Sequence, residues 1–256
     1  MKTVILCGGQ GMRLREETEF RPKPLVPIGG KPILWHIMNI YAHYGFREFV
    51  LPLGYRGDMI KEWLLNYETM TNDFSIHLGE NSSIEYHDSH LEQDFEVTLA
   101  DTGQNTMTGG RIKLVEKYIS GDTFMVTYGD GVADIDIRSL MEYHHSHGRL
   151  ATVTVVHPSQ RFGVLALDES SSVVDFAEKP QMKDWISAGF LVFNRRIFNY
   201  LEGADCILER EPLERLTSEG ELVAYKHEGF FYGMDTYRDY MHLNDLWDKG
   251  QTPWTK

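Results

Sequence analysis

"TVILCGGQGMRLREETEFRPKPL", residues Thr3 to Leu25, starts as an apolar strand, breaks into Gly8, Gly9 and Gly11, and continues with four cations, Arg13, Arg15, Arg21 and Lys23. A strand that ends in glycine ahead of a longer polar segment is the first unit of an alternating α/β chain. The rest of the sequence keeps that alternation. "PILWHIMNIYAHYG" reads as a helix, with Pro32 in its first turn, Gly45 closing it, and Ile33, Ile37, Ile40, Tyr41 and Tyr44 on one face. "FVLPLG" then reads as a strand and "DMIKEWLLNY" as a helix; "FEVTLA", "GRIKLVEKYI", "TFMVTYGD", "IRSLMEYHHSHG" and "ATVTVV" repeat the pattern. Strand, helix, strand in this order implies right-handed crossovers and predicts an α/β, Rossmann-like, doubly wound and mainly parallel mixed sheet. In the second half, "FGVLALDESSSVVDFAEKP" predicts a β-hairpin around Asp168 to Ser172, an elaboration of the same sheet.

With 256 residues, of which 42% are hydrophobic, the chain can bury a full core, and a single domain over 1–256 is expected. No run approaches the length of a membrane span, and the N-terminus reaches glycine before a signal segment can form, so a cytoplasmic protein is expected. Cys7 and Cys206 provide neither a disulfide framework nor metal-ligand spacing. A net charge of -13 argues against nucleic acid as a partner. Residues 1–31 nevertheless hold six Lys or Arg against three Glu, so positive charge gathers where the glycines are. The polar stretch from Asn72 to Asp94, with Asn81, Asp88 and His90, reads as a long mobile or subunit-contacting excursion.

The glycine turn is neither of two familiar phosphate loops. Met12-Arg13-Leu14 lacks the third glycine of the dinucleotide fingerprint, and no Lys-Ser/Thr pair follows Gly11 as in a Walker A loop. The glycines alone fit a plain strand-to-helix turn with solvated cations. Pro22 and Pro24 change that balance, because they stiffen the backbone on both sides of Lys23 and present it from a fixed loop. Backbone amides and fixed cations together suit an anionic phosphate ligand.

"GGQGMRL…RPKPLVPIGGKPIL", followed in order by "YGDG" (Tyr128 to Gly131), "EKP" (Glu178 to Pro180) and "MDT" (Met234 to Thr236), resembles the sugar-1-phosphate nucleotidyltransferase family. "GGKPILWHIM", "ADTGQNTMTGGR" and "TYGDGVADIDI" are similar to its glucose-1-phosphate cytidylyltransferase branch. The resemblance implies attack of a sugar phosphate on the α-phosphorus of CTP, with release of pyrophosphate. It implies that Leu6, Cys7, Gly8, Gly9, Gln10, Gly11, Met12 and Arg13 hold the triphosphate, and that Arg13 and Lys23 neutralise charge. Asp130 and Asp235 would bind Mg²⁺, and Asp130 counts with Arg13 and Lys23 as catalytic. Thr106, Gly110, Arg111 and Gly129 would complete the nucleotide site, Arg111 by donating to cytosine acceptors. Glu178 and Lys179 would orient the sugar and its phosphate. By the same resemblance, 1–157 is mainly nucleotide-binding, 158–256 mainly sugar-phosphate-binding with a C-terminal helix, and the chain forms a homo-oligomer, a trimer or hexamer.

Two positions depart from the branch. Met12 replaces a typical threonine in the phosphate loop, and Ser187-Ala188 replaces a typical Asn-Gly in the sugar pocket, which unsettles glucose 1-phosphate as the acceptor. Other residues have simpler readings. His144, His145 and His147 suit imidazolium at a helix C-terminus. Tyr237, Tyr240, Met241, Asn244 and Trp247 suit a packing face. Cys7 is either a redox-sensitive thiol or, more simply, a small residue beside glycines. Two other classes compete: an idle nucleotide-binding regulator, opposed by the joint presence of Lys23, Asp130 and Asp235, and a dinucleotide-dependent oxidoreductase, for which "FVLPLGYRGD" offers only Asp58.

Overall fold

The chain's long strands lie in one sheet in a computed structural model that describes residues 1–79, 82–87, 94–158, 162–178 and 180–255. They are β1 (Lys2–Leu6), β2 (Glu48–Leu53), β3 (Glu96–Asp101), β4 (Thr123–Tyr128), β5 (Ala151–Val156), β6 (Ile186–Asn194) and β7 (Leu222–Lys226). Their spatial order is β7-β5-β6-β4-β1-β2-β3. Every neighbouring pair is parallel except the two made by β6, which runs against β5 and β4. The doubly wound, mainly parallel mixed sheet expected from the alternation is therefore present.

Among the described residues, six helices of seven or more residues accompany the sheet: α1 (Ile33–His43), α2 (Gly57–Leu65), α3 (Thr108–Leu114), α4 (Ile137–His147), α5 (Glu211–Ser218) and α6 (Tyr237–Asp248). The strands feed a core on each face. Phe190 and Val192 of β6 join Ile33, Ile37, Leu140 and Leu243 on one side, while Leu191 and Phe193 join Ile112, Phe198 and Leu216 on the other. Burial on both faces is what makes β1 and β4 read as unbroken apolar runs. Chain order reverses at β1: β2 and β3 extend the sheet one way and β4 the other, so a crevice opens at the carboxyl ends of β1 and β4.

Some local expectations change. The predicted third helix ends at Leu114 and continues as a 3-10 turn over Glu116–Tyr118. The second divides at Asn66, with a short helix at Tyr67–Thr71. Within the polar excursion, Phe74–His77 pairs with Ser83–Tyr86, whereas Asn81, Asp88 and His90 lie outside the described residues. The second-half hairpin forms as Val164–Leu167 against Val173–Ala177, closed by Asp168 Oδ1 accepting from the amides of Ser170 and Ser172.

On α6 the packed stripe is rotated from the expected one. Asp239 and Leu243 are buried with Tyr240, Asn244 and Trp247 partly so, while Tyr237 and Met241 are exposed, because capping bonds turn Asp239 inward. The imidazolium reading fails at His144: the ring is buried, burial pushes its pKa down to about 4, and it shares the Thr152 hydroxyl with His147. Among the described residues no helix is long and apolar enough to cross a membrane.

Candidate active site

The glycine turn leaves β1 at the crevice. Gly11 has φ +64°, and a Cβ there would meet Thr18 Cγ2 at 2.7 Å, so only glycine fits. The Thr18 hydroxyl lies 3.0 Å from Gly11 O and 2.9 Å from Leu14 O, pinning the turn to the short helix Arg15–Thr18. Among the described residues, the amides of Gly9, Gln10 and Gly11 meet no backbone carbonyl. Backbone amides left open in this way suit a cradle for an anion. The Met12 side chain is turned to solvent, so the missing threonine hydroxyl leaves the cradle's backbone donors in place.

Beneath the turn, Leu6 O accepts from Gly129 N at 3.1 Å, which ties the ends of β1 and β4 together. Cys7 is fully buried, and burial raises its thiol pKa far above the ordinary range despite the nearby Arg111. It is a packed thiol, not an exposed redox group.

Arg111, on α3, is buried rather than solvated. Its Nη2 donates to Gly8 O at 3.0 Å and Gln104 O at 3.2 Å; Nη1 donates to Leu53 O at 3.0 Å, Gly103 O at 2.9 Å and Thr102 Oγ1 at 2.7 Å. The guanidinium thus joins the glycine turn to the loop after β3, and these donors are engaged by the protein itself. Thr106 Oγ1 donates to Thr102 O at 2.5 Å within that loop. Gly110 N donates to Cys206 O at 3.1 Å, so its amide holds α3 against the segment before α5.

On the other side of the crevice, Lys23 sits on a single 3-10 turn that opens after Pro22, with Pro24 buried. Its Nζ donates to Asp130 Oδ2 at 2.6 Å and to Asp235 Oδ1 at 2.8 Å, and Arg13 Nη2 is 3.1 Å from the same Asp235 oxygen. Two features bring the carboxylates together. Gly131–Ala133, just after Asp130, pairs antiparallel with Phe231–Gly233, just before Asp235, and Met234 N donates to Asp130 O at 2.8 Å. Burial disfavours the Lys23 ammonium, but Asp130 and Asp235 outweigh it and hold its pKa above the ordinary lysine value.

Asp130 and Asp235 also fit a divalent ion. Both present hard carboxylate oxygens within 2.8 Å of one nitrogen, so they converge on a point where positive charge already sits.

The acceptor-side residues are more dispersed. Ser187 is exposed, with Oγ accepting from Gly189 N at 3.3 Å, while Ala188 is buried in the core cluster that includes Phe190. Gly189 has φ +77° and lies against the Tyr128 ring. Tyr128 OH donates to Glu209, whose other oxygen accepts from Thr108 Oγ1 at 2.7 Å. Burial first, then Glu209, raises the Tyr128 pKa, so this hydroxyl keeps its proton. Glu178 is exposed beyond the hairpin strand, its carboxylate beside Gly163. Lys179 lies outside the described residues.

The structure thus gathers Arg13, Lys23, Asp130 and Asp235 into one cluster, and the glycine turn with Arg111 into a second. Sequence reasoning missed Thr18, Glu209 and Asp239, and read Asn244 only as part of a packing face. Asn244 Oδ1 accepts from Gly29 N at 3.0 Å and so helps hold the loop that follows Lys23. Only Asp239 carried a readable signal, the Thr-x-x-Asp spacing of a capping box at Thr236.

Residues 2–248 match the nucleotidyl transferase family. The chain is 46% identical over 256 residues to glucose-1-phosphate cytidylyltransferase of Salmonella typhi, covering 99% of this chain and 98% of that one. It is 42% identical to a probable glucose-1-phosphate cytidylyltransferase of Bacillus subtilis, covering 99% of each. A crystal structure of HddC from Yersinia pseudotuberculosis superposes with a TM-score of 0.71 at 24% identity, covering 96% of this chain and 99% of that one, a likeness of fold. By this match along nearly its whole length, the chain belongs to the nucleotidyl transferase family, as an enzyme of the glucose-1-phosphate cytidylyltransferase kind.

Proposed function

We propose that this enzyme transfers a cytidylyl group from CTP to a sugar 1-phosphate, with α-D-glucose 1-phosphate as acceptor, giving a CDP-sugar and pyrophosphate. The observation that carries the reading is the meeting of Lys23, Arg13, Asp130 and Asp235 beside the free amides of the glycine turn, at the carboxyl ends of β1 and β4. The names of the 42–46% identical relatives support CTP as the donor.

The chemistry asks for positioning and charge, because both reactants are anions. An acceptor phosphate oxygen forms the new bond to the α-phosphorus while the bond to pyrophosphate breaks, the leaving group keeping the electron pair. No protein nucleophile enters. The Leu6 to Arg13 turn holds the triphosphate through its amides; Arg13 neutralises departing pyrophosphate; Lys23 lies against the α-phosphoryl oxygens. Asp130 and Asp235 would hold Mg²⁺, which would supply Lewis-acid charge to the phosphates. Glu178 and Lys179 orient the acceptor. In this reading 1–157 mainly binds nucleotide and 158–256 mainly binds sugar phosphate, in a cytoplasmic homo-oligomer of three or six chains.

Pyrophosphate release tests the reading: CTP should outperform UTP and dTTP, and release should require both a divalent cation and a sugar phosphate. A clear dTTP preference, or release without acceptor, refutes it. A second acceptor is favoured by Ser187, whose short side chain reaches less far than the usual asparagine; kcat/KM across hexose 1-phosphates and other phosphorylated acceptors decides between them.

A further inference from the structure

We propose that Asp239 is a positioning residue for the carboxylate of Asp235; the proposal rests on the reading of Asp235 as a metal ligand. Asp239 lies in the first turn of α6 and is 7% exposed. Its Oδ2 accepts from Thr236 N at 2.8 Å, Thr236 Oγ1 at 2.8 Å and Asp235 N at 3.2 Å, and its Oδ1 accepts from Tyr232 OH at 3.2 Å. All four donors are neutral.

A helix cap needs only part of this. In a capping box the third helical residue reaches back to the amide of the cap residue, here Thr236. The bonds to Asp235 N and Tyr232 OH exceed that requirement, and both fall on the segment that carries the ligand. Asp239 therefore grips the chain on both sides of Asp235, at 232 and 236, and holds Asp235's own amide as well. From the opposite side Met234 N is bonded to Asp130 O, so the backbone between the two carboxylates is fixed at both ends. The Asp235 carboxylate, held at its backbone, meets Lys23 at 2.8 Å and Arg13 at 3.1 Å on the crevice side. Hydrogen bonds around metal ligands fix their orientation, and losing them typically costs about 10- to 100-fold in metal affinity or activity; here the bond falls on the backbone amide of Asp235.

The test uses Mn²⁺ as the probe, titrated into the full chain with a CTP analogue whose α,β-bridging oxygen is replaced by methylene, and followed by electron paramagnetic resonance of free Mn²⁺. Asp239→Ala is expected to weaken Mn²⁺ binding about 10- to 100-fold, with kcat recovering as metal is raised to saturation. Asp239→Asn keeps the shape and one acceptor oxygen and should fall between the two, which preserves the test should the alanine protein not fold. Asp136→Ala removes the cap of α4, where Asp136 Oδ1 accepts from Ser139 N at 2.9 Å, and serves as the control for lost helix stability: its Mn²⁺ affinity should match the native chain. Native Mn²⁺ affinity in the Asp239 variants, with affinity lost in Asp235→Ala, overturns the proposal. Native affinity in Asp235→Ala overturns the metal reading beneath it.

Discussion

Replacing Lys23 by methionine keeps an unbranched side chain one atom shorter and removes its charge, which isolates what the ammonium does for Asp130 and Asp235. The Lys23 side chain is 12% exposed and the two carboxylates 35% and 30%. Breaking a fully buried pair costs about 3–5 kcal/mol, whereas an exposed one is worth about 1 or less. With a buried cation and carboxylates about a third exposed, the expected loss is about 2 kcal/mol, or about 4–8 °C in Tm for a chain of this size.

That loss should be conditional on the absence of metal. In chelator the variant holds two carboxylates with Arg13, on the Asp235 side, as the cation that remains beside them. Adding Mg²⁺ should therefore raise its Tm by more than it raises that of the native chain, because the ion takes over the neutralising role. The pH dependence is fixed in sign: the Lys23 pKa is raised in the folded state, so its stabilisation is complete below 10.5 and fades only as pH rises through the folded value. Between pH 6 and 9 the difference between native and variant Tm should be flat with respect to this group. Turnover should drop even at saturating Mg²⁺, by roughly 10²–10³, the scale of losing one preorganised electrostatic contact. Calorimetry in chelator and in Mg²⁺, with pyrophosphate release as the second readout, tests all of this. A Lys23→Met protein with native Tm in chelator and no added response to Mg²⁺ would refute the claim that Lys23 neutralises this pair.

Asp130→Asn should lower turnover by roughly 10²–10³ with an unchanged fold; near-native pyrophosphate release would remove Asp130 from the site. Gly189→Ala puts a side chain at φ +77° against the Tyr128 ring and should cost about 2 kcal/mol or more, with turnover reduced because Tyr128 leads directly into Gly129-Asp130; a native melting profile would show that this bend carries no strain. Burial holds both His36 and His144 at pKa values of about 4, against 6.5 when unfolded. Their contribution is complete above pH 6.5 and is lost toward pH 4, at about 1.4 kcal/mol per pH unit for each ring; denaturant melts of His144→Gln against the native chain should show a shallower acid slope, and an equal slope counts against it.

The alternation of strands and helices was legible because β1, β4 and β5 are buried on both faces and so appear as uninterrupted apolar runs bounded by glycine. Lys23 was legible for a different reason, since two prolines around one cation have few structural uses. What the sequence could not supply is the direction of a long side chain. Arg111 reads as a donor for a base, yet its guanidinium lies against Gly8 and Gly54, positions 103 and 57 residues away, and its donors end on carbonyls that come together only when the sheet forms. Ala188 reads as a methyl in a sugar pocket, yet the bend at Gly189 sends it into the core and leaves Ser187 outside. Glu209 shows the same limit more sharply: an exposed carboxylate in a polar segment gives no signal, and it matters because the fold sets it against Tyr128 and Thr108 at once. Glycine and proline act through the backbone where they stand, so they can be read locally. Charged side chains act through partners that are distant in sequence, and their roles follow from topology: with β4 beside β1 and α6 starting at the crevice, Asp130 and Asp235 face Lys23, although 107 and 212 residues separate each from it.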